Sequence, residues 1–252
     1  MTRFRAKTEQ RGFTLIELLT ALGIFLLVCG AAFTLLGSSQ KHYQTESQVL
    51  SSFQEARLGL DQIVRDVDDA GYPPPAFAGI DPTKFASTPF AWIPGYPAGT
   101  SCAVGTGVGT QCTVPSGFDL IIETNPNPQD AFSQVQWIRY QLQGTTLMRG
   151  TANKVSPGDP DAATSVAGVL VPFVQNVVNT AAQPIFSYTC DTTITPPPTL
   201  PCPNATNADS QPGNIREVIV TLIVAAPVPD INTGQPRLVQ LTGRGRRVNP
   251  NQ

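Results

Sequence analysis

The stretch GFTLIELLTALGIFLLVCGAAFTLL, Gly12 to Leu36, decides how the rest of the chain must be read. From Phe13 to Leu36 it holds 24 residues with Glu17 as the one charge. At about 1.5 Å per residue a helix of that length reaches about 36 Å, enough to cross the hydrocarbon layer of a bilayer. Arg3, Arg5, Lys7 and Arg11 precede it against Glu9 alone, so the positive-inside bias predicts a cytoplasmic N-terminus and an outward remainder. Gly and Ala follow the apolar core, yet the helical pattern continues through Gln40 and Gln48 instead of breaking at a signal-peptide cut, so the segment reads as retained. Gly12 offers a side-chain-free cut site ahead of it. Cutting there removes four basic residues and one acidic one, moves the formal balance from −2 to −5 and creates an amine on Phe13.

Glu17 then needs an account. A carboxylate inside a membrane helix is costly and asks for a counter-charge. The Phe13 amine is one helical turn away within the chain, and the same amine on a chain shifted along a filament axis is an equal partner. The plainer alternative is an acid near the interface that reaches the headgroups.

These residues resemble the type IV prepilin N-terminal cleavage and methylation motif, Gly12-Phe13-Thr14-Leu15-Ile16-Glu17 standing in the motif's fixed register. The resemblance implies cleavage after Gly12 by a prepilin peptidase, N-methylation of Phe13, and contact between Glu17 and the Phe13 amine of a neighbouring subunit. Val64-Arg65-Asp66-Val67-Asp68-Asp69-Ala70-Gly71-Tyr72 looks like the helix end of PilW-type minor pilins, and Val135 to Tyr140 with Leu147-Met148-Arg149 is similar to their strand pair. Major pilins commonly carry a kinking proline in the membrane helix, whereas this chain has none before Pro73, which favours a minor pilin or a pseudopilin.

With 252 residues there is room for a membrane element and one domain with a real core. Only 13% of residues are charged, and most of the 24 prolines and 21 glycines fall after Gly71, where apolar runs persist between the breakers. That pattern is a turn-rich β domain rather than a disordered chain, and the charge balance gives no reason to expect nucleic acid. Cys29 lies in the apolar run; Cys102, Cys112, Cys190 and Cys202 lie in loop-like sequence. Two disulfides are expected, most simply Cys102–Cys112 and Cys190–Cys202, with the other connectivities left open. Zinc is the rival, but no C-x-x-C occurs and the one histidine, His42, is far away in sequence.

After Ser38 apolar residues recur at spacings of three and four: Val49 or Leu50, Phe53, Ala56, Leu60, Ile63 or Val64, and Val67. One helix is expected from Phe13 to about Ala70, stopped by Gly71 and the prolines after it, with its second half covered by a sheet. A coiled-coil dimer is the other way to cover that stripe. A connecting loop follows from Tyr72 to Gly117, held by aromatics such as Phe77, Phe85, Phe90, Trp92 and Tyr96. Strands are expected at 118–123, 135–142, 145–149, 184–188, 215–224 and 237–242, with Gly144 in a hairpin turn and 166–178 open between strand and helix. The fold class is α+β: a long N-terminal membrane-spanning helix packed on an antiparallel β-sheet head. The chain divides into a leader (1–12), a transmembrane helix (13–36), its amphipathic continuation (37–71) and an extracytoplasmic β-rich head with its connecting loop (72–252).

The search for chemistry yields no cofactor, metal or catalytic residue. Gly105 to Thr110 lacks the third glycine of a phosphate loop. Asp230-Ile231-Asn232-Thr233-Gly234 starts like a calcium loop without its glutamate and reads as a turn. Asp66, Asp68 and Asp69 read as a solvated helix end, Arg244, Arg246 and Arg247 as a solvated basic tail, and Asn204 to Thr206 as a sequon without weight in a prokaryotic cell. The resulting reading is a non-enzymatic minor pilin that contributes to type IV pilus assembly or initiation through helix packing and Glu17 pairing. A PulJ-type pseudopilin of a type II secretion system is the alternative, and a pilus-associated adhesin or DNA-uptake subunit is another. Expected partners are other pilins or pseudopilins, the prepilin peptidase and N-methyltransferase, the inner-membrane assembly platform and membrane lipid. The expected location is the inner membrane, single-pass, and then a pilus or periplasmic fibre.

Overall fold

In the computed structural model, which describes residues 12–74, 83–86, 88–90, 115–127, 134–155, 162–191, 202, 214–230 and 233–247, the first element is a 54-residue helix, α1 (Leu15–Asp68). The chain forms two compact units, Met1–Ser47 and Gln48–Gln252, and α1 supplies residues to both. Cys102, Cys112, the Gly105 to Thr110 run, Phe77, Trp92, Tyr96 and the Asn204 to Thr206 sequon lie outside the described residues.

In the first unit α1 is apolar on every side as far as Gly37, Glu17 at its start apart. Leu15, Leu22, Phe25, Leu26, Phe33 and Leu35 all stand exposed, and none of the apolar window is buried within the chain. The hydroxyls close on their own helix: Thr20 donates to the Glu17 carbonyl at 3.0 Å and Thr34 to the Ala31 carbonyl at 2.7 Å. No outside partner is needed for either group. A helix that is apolar all round suits a membrane or a large core.

In the second unit the apolar pattern narrows to a stripe. Ala56, Leu60, Ile63, Val67 and Ala70 are buried, while Gln54, Arg57, Asp61 and Arg65 are exposed. After Asp68 the chain leaves the helix through Gly71 at φ 84°, a left-handed position that glycine adopts without a Cβ penalty. Strands β1 (Asp119–Thr124), β2 (Gln136–Gln143), β3 (Thr146–Asn153) and β4 (Val171–Val174) form one antiparallel sheet in the order β1-β2-β3-β4. Strands β5 (Phe186–Cys190), β6 (Ile215–Pro229) and β7 (Pro236–Arg246) form a second, β5-β6-β7, also antiparallel. The β2–β3 turn has positive φ at Gly144 and not at Thr145, the pattern of a type II′ hairpin. The ambiguous 166–178 region holds both kinds of structure: a short helix α2 (Ala162–Ala167) ends in it, and β4 follows.

The antiparallel pairing is therefore divided over two sheets, and the segment after β4 stitches them together. Val178 N donates to the Ile223 carbonyl at 2.8 Å and Ala225 N to the Asn176 carbonyl at 2.9 Å. The Asn179 amide adds bonds to the Thr221 carbonyl and the Ile223 N–H. A core shared by both sheets results, in which the α1 stripe packs with Ile122, Tyr140, Leu147, Phe186 and Val220; a smaller cluster of Ile121, Trp137 and Val166 stands apart from it. Close approach of α1 to β7 depends on two glycines. A Cβ at Gly243 would sit 2.9 Å from Val64 Cγ2, and one at Gly245 2.7 Å from Val67 Cβ.

Polar anchors correct two expectations. Asp66 is buried rather than solvated: its Oδ2 accepts from the Tyr140 hydroxyl at 2.5 Å and from Arg149 Nη2 at 3.1 Å, and its Oδ1 from Gln62 at 2.7 Å. Asp68 Oδ1 accepts from the Arg246 backbone N–H at 2.6 Å. A one-dimensional reading sees three acids at a helix end; the fold turns two of them toward strands. The C-terminal arginines stand on or next to a strand rather than on a loose tail, and of the three only Arg247 is withdrawn from solvent. Arg244 and Arg246 lie in β7, and Arg247 is 3% exposed and donates to the Ile215 carbonyl at 3.1 Å. Burial holds its pKa down at about 10.

In the described part of the connecting loop, Phe90 is buried and bridges to Ile122, and Phe85 lies beside Lys154. Lys154 and Glu123 form an ion pair that is fully buried. Cys190 at the end of β5 is bonded to Cys202. Asp230 sits at the β6–β7 turn, where it accepts from Arg237 at 2.5 Å and from the Gly234 N–H at 2.7 Å.

Candidate functional site

The N-terminal end of α1 is built by a reciprocal cap. Thr14 is the last residue before the helix; its Oγ1 accepts from Glu17 N at 3.3 Å, and Glu17 Oε2 accepts from Thr14 N at 2.9 Å. The Thr14 hydroxyl also donates to the same Oε2 at 2.8 Å. This is a capping box, in which a threonine before the first turn and an acid three residues later satisfy helix-end N–H groups that have no partner within the helix. A carboxylate in the first turn also suits the positive end of the helix dipole.

Glu17 thus has a local partner that the amine-centred expectation did not include. The Thr-x-x-Glu spacing was the signal in the sequence that names Thr14. Both Thr14 bonds go to Oε2, and among the described residues Oε1 takes no hydrogen bond. Phe13 is 87% exposed beside this cap. Gly12 is open as well, because an added Cβ would meet no heavy atom within 4 Å and the backbone there is not left-handed. Gly12, Phe13 and Glu17 are therefore brought together in one accessible turn. The Cys190–Cys202 bond lies in the second unit, away in sequence from this turn.

Three more glycines on α1 share the openness of Gly12. Gly23, Gly30 and Gly37 follow one another at intervals of seven, which keeps them on one helix face, and an added Cβ at any of them would meet nothing within 4 Å. Each costs about 1 kcal/mol of helix propensity relative to alanine. Nothing among the described residues calls for them, and small residues in a membrane helix let a second helix approach closely.

A family model described as the prokaryotic N-terminal methylation motif matches residues 7–35, the span that contains Gly12, Phe13, Thr14 and Glu17. No curated protein and no solved structure gives a significant match to the chain. The motif implies processing by a prepilin peptidase and assembly with other pilins, and α1 is long and apolar enough to cross a membrane. The motif, the open turn from Gly12 to Glu17 and the uncovered apolar half of α1 together support a type IV prepilin-like protein that is anchored by its N-terminal helix.

Proposed function

We propose that the chain is a minor pilin of the PilW type that contributes to type IV pilus assembly or initiation. In this reading residues 1–12 are a cytoplasmic leader removed after Gly12, Phe13 becomes the N-methylated N-terminus, and 13–36 spans the inner membrane with the head outside. The observation that carries the reading is the partition of the Glu17 carboxylate. Thr14 occupies Oε2 and caps the helix, which leaves Oε1 for a charged amine on a neighbouring subunit. A charge-assisted bond of this kind gains strength in a low dielectric. Gly12 fits the same account, since a glycine required neither by conformation nor by crowding answers to the peptidase that reads it. The glycine face of α1 supports lateral helix packing.

Glu17→Ala removes the cap and the charge together, whereas Glu17→Gln keeps an acceptor for Thr14 and loses only the charge. Both variants are expected to be cleaved, and both to be lost from sheared filaments relative to the membrane fraction. Normal filament incorporation of Glu17→Gln would assign Glu17 to capping alone and contradict the amine pairing.

A further inference from the structure

Among the described residues each sheet has two outer strands, and three of the four are blunted. β1 is met by Phe90, which bridges to Ile122, and by Pro89, whose carbonyl accepts from Glu123 N at 3.0 Å. β4 is four residues long, contains Pro172 and pairs with β3 through a register shift. β5 gives its Phe186 N–H to the Gly117 carbonyl at 3.0 Å. Such devices keep an outer strand from pairing with another chain. β7 is the exception: it is 11 residues long, has no proline after Pro236, and runs beside β6 without a register shift from Leu238 to Arg246.

The bonds around β6 decide which groups β7 leaves open. Arg247 N donates to the Arg216 carbonyl, so the odd-numbered residues of β7 turn their N–H toward β6. Thr221 N and Ala225 N, which stand opposite Thr242 and Leu238, donate away from β7, to the Ile185 and Asn176 carbonyls. Leu238, Gln240, Thr242 and Arg244 therefore point their N–H and C=O groups outward, and all four residues are exposed. Pro236, which has no N–H, bounds the open stretch at one end. Asp68, which takes the Arg246 N–H, bounds it at the other.

Such a row of groups takes an extended backbone, and the side chains beside it choose among strands. Glu217 stands opposite Arg246 and reaches Arg244 diagonally at 3.7 Å. Asp68 spends Oδ1 on the Arg246 N–H, and among the described residues the Arg246 guanidinium has no ion pair. A carboxylate on an added strand opposite Arg244 would meet Arg244 directly and Arg246 diagonally, from the side that Glu217 leaves open. Farther along, Leu238 is 63% exposed and suits an apolar neighbour. A second copy of β7 brings no acid: laid antiparallel about Thr242, it sets Gln240 against Arg244 and Leu238 against Arg246.

We propose that the β7 edge docks an extended segment of another protein, added antiparallel beside β7, with a carboxylate opposite Arg244 and an apolar residue opposite Leu238. The site belongs to the second unit alone and does not depend on the pilin reading. The test mixes the full chain in detergent with a blocked peptide, Glu-Thr-Thr-Thr-Thr-Thr-Leu, and reads amide hydrogen exchange residue by residue by NMR. Two control peptides carry lysine in place of glutamate, or N-methyl groups on the alternate residues that face β7.

Without peptide, Val239, Leu241, Gly243 and Gly245 are expected to exchange slowly, and Leu238, Gln240, Thr242 and Arg244 quickly. The acidic peptide is expected to slow the second set about tenfold or more and leave the first unchanged, while neither control changes either set. Thr242→Pro deletes one outward N–H and no bond to β6, so it should abolish the effect while the first set stays slow and reports an intact sheet. Fast exchange of the second set at millimolar acidic peptide overturns the site. Slow exchange before any peptide means that the chain covers its own edge, and slowing that follows protein concentration hands the edge to a second copy; either result overturns the proposal. Equal slowing by the lysine peptide overturns the acidic partner.

Discussion

Between Leu15 and Leu36, α1 exposes Leu22, Phe25 and Leu26 in turn around its axis, whereas between Ala56 and Val67 it buries one stripe and leaves Arg57, Asp61 and Arg65 in solvent. The backbone is the same continuous helix in both. What differs is who supplies the partner. The second half meets its partners within the chain, in the strands that follow it, and its polar groups are matched one by one to Tyr140, Arg149 and Arg246. The first half satisfies its own hydroxyls and leaves its apolar surface and its glycine face to something outside the chain. Stability and assembly should therefore respond to mutations in different halves.

The sharpest test makes one kind of cut in both places. Ile63→Ala opens a cavity in the core and is expected to cost about 2–5 kcal/mol of head stability, whereas Leu26→Ala in detergent should leave the urea midpoint of the head unchanged. Equal losses would erase the distinction. Asp66→Ala comes next, at about 2–3 kcal/mol, because it leaves the Tyr140 hydroxyl and the mostly buried Arg149 without their carboxylate. The same midpoint measures it, and a loss below that of an ordinary surface substitution would make the latch ornamental.

Tyr140→Phe is milder at neutral pH, about 1–2 kcal/mol, and has a signature in alkali. Burial first, and the Asp66 carboxylate second, push the Tyr140 phenol well above its ordinary range. The unfolded phenol ionises above pH 10 or so while the folded one keeps its proton. Its contribution is therefore complete below that pH and falls as the pH rises beyond it, by about 1.4 kcal/mol per unit. Urea midpoints between pH 9 and 11 should decline less steeply in Tyr140→Phe than in the parent. Arg247, whose lowered pKa acts in the opposite sense, is common to both proteins and cancels in the difference. The smallest effect on stability belongs to Gly30→Leu, within about 0.5 kcal/mol for the head. Its expected consequence is a loss from sheared filaments, and full incorporation would mean that no helix packs against that face.

The strands were legible because alternation has a short period that survives in a list of residues: 118–123, 135–142 and 215–224 lie within a residue or two of the starts of β1, β2 and β6. The end of α1 was legible for a similar local reason, since only glycine at position 71 makes the left-handed exit easy. The second sheet was not legible. Strand alternation says which residues face a core and not which strands share hydrogen bonds, and the two sheets are joined by Asn176, Val178 and Asn179, polar and apolar residues with no distinctive spacing.

The sequence alone determined the apolar span, the Gly12-Phe13 turn with its acid at Glu17 and the order of helix and strands, because each depends on residues within a few positions of one another. Only the tertiary structure decided that Asp66 and Arg247 are buried and that Gly243 and Gly245 receive a helix. These depend on residues far apart in the chain, Asp66 and Tyr140 by 74 positions and Asp68 and Arg246 by 178. Such pairs are brought together by burial of a shared core, and a linear pattern carries no record of that geometry.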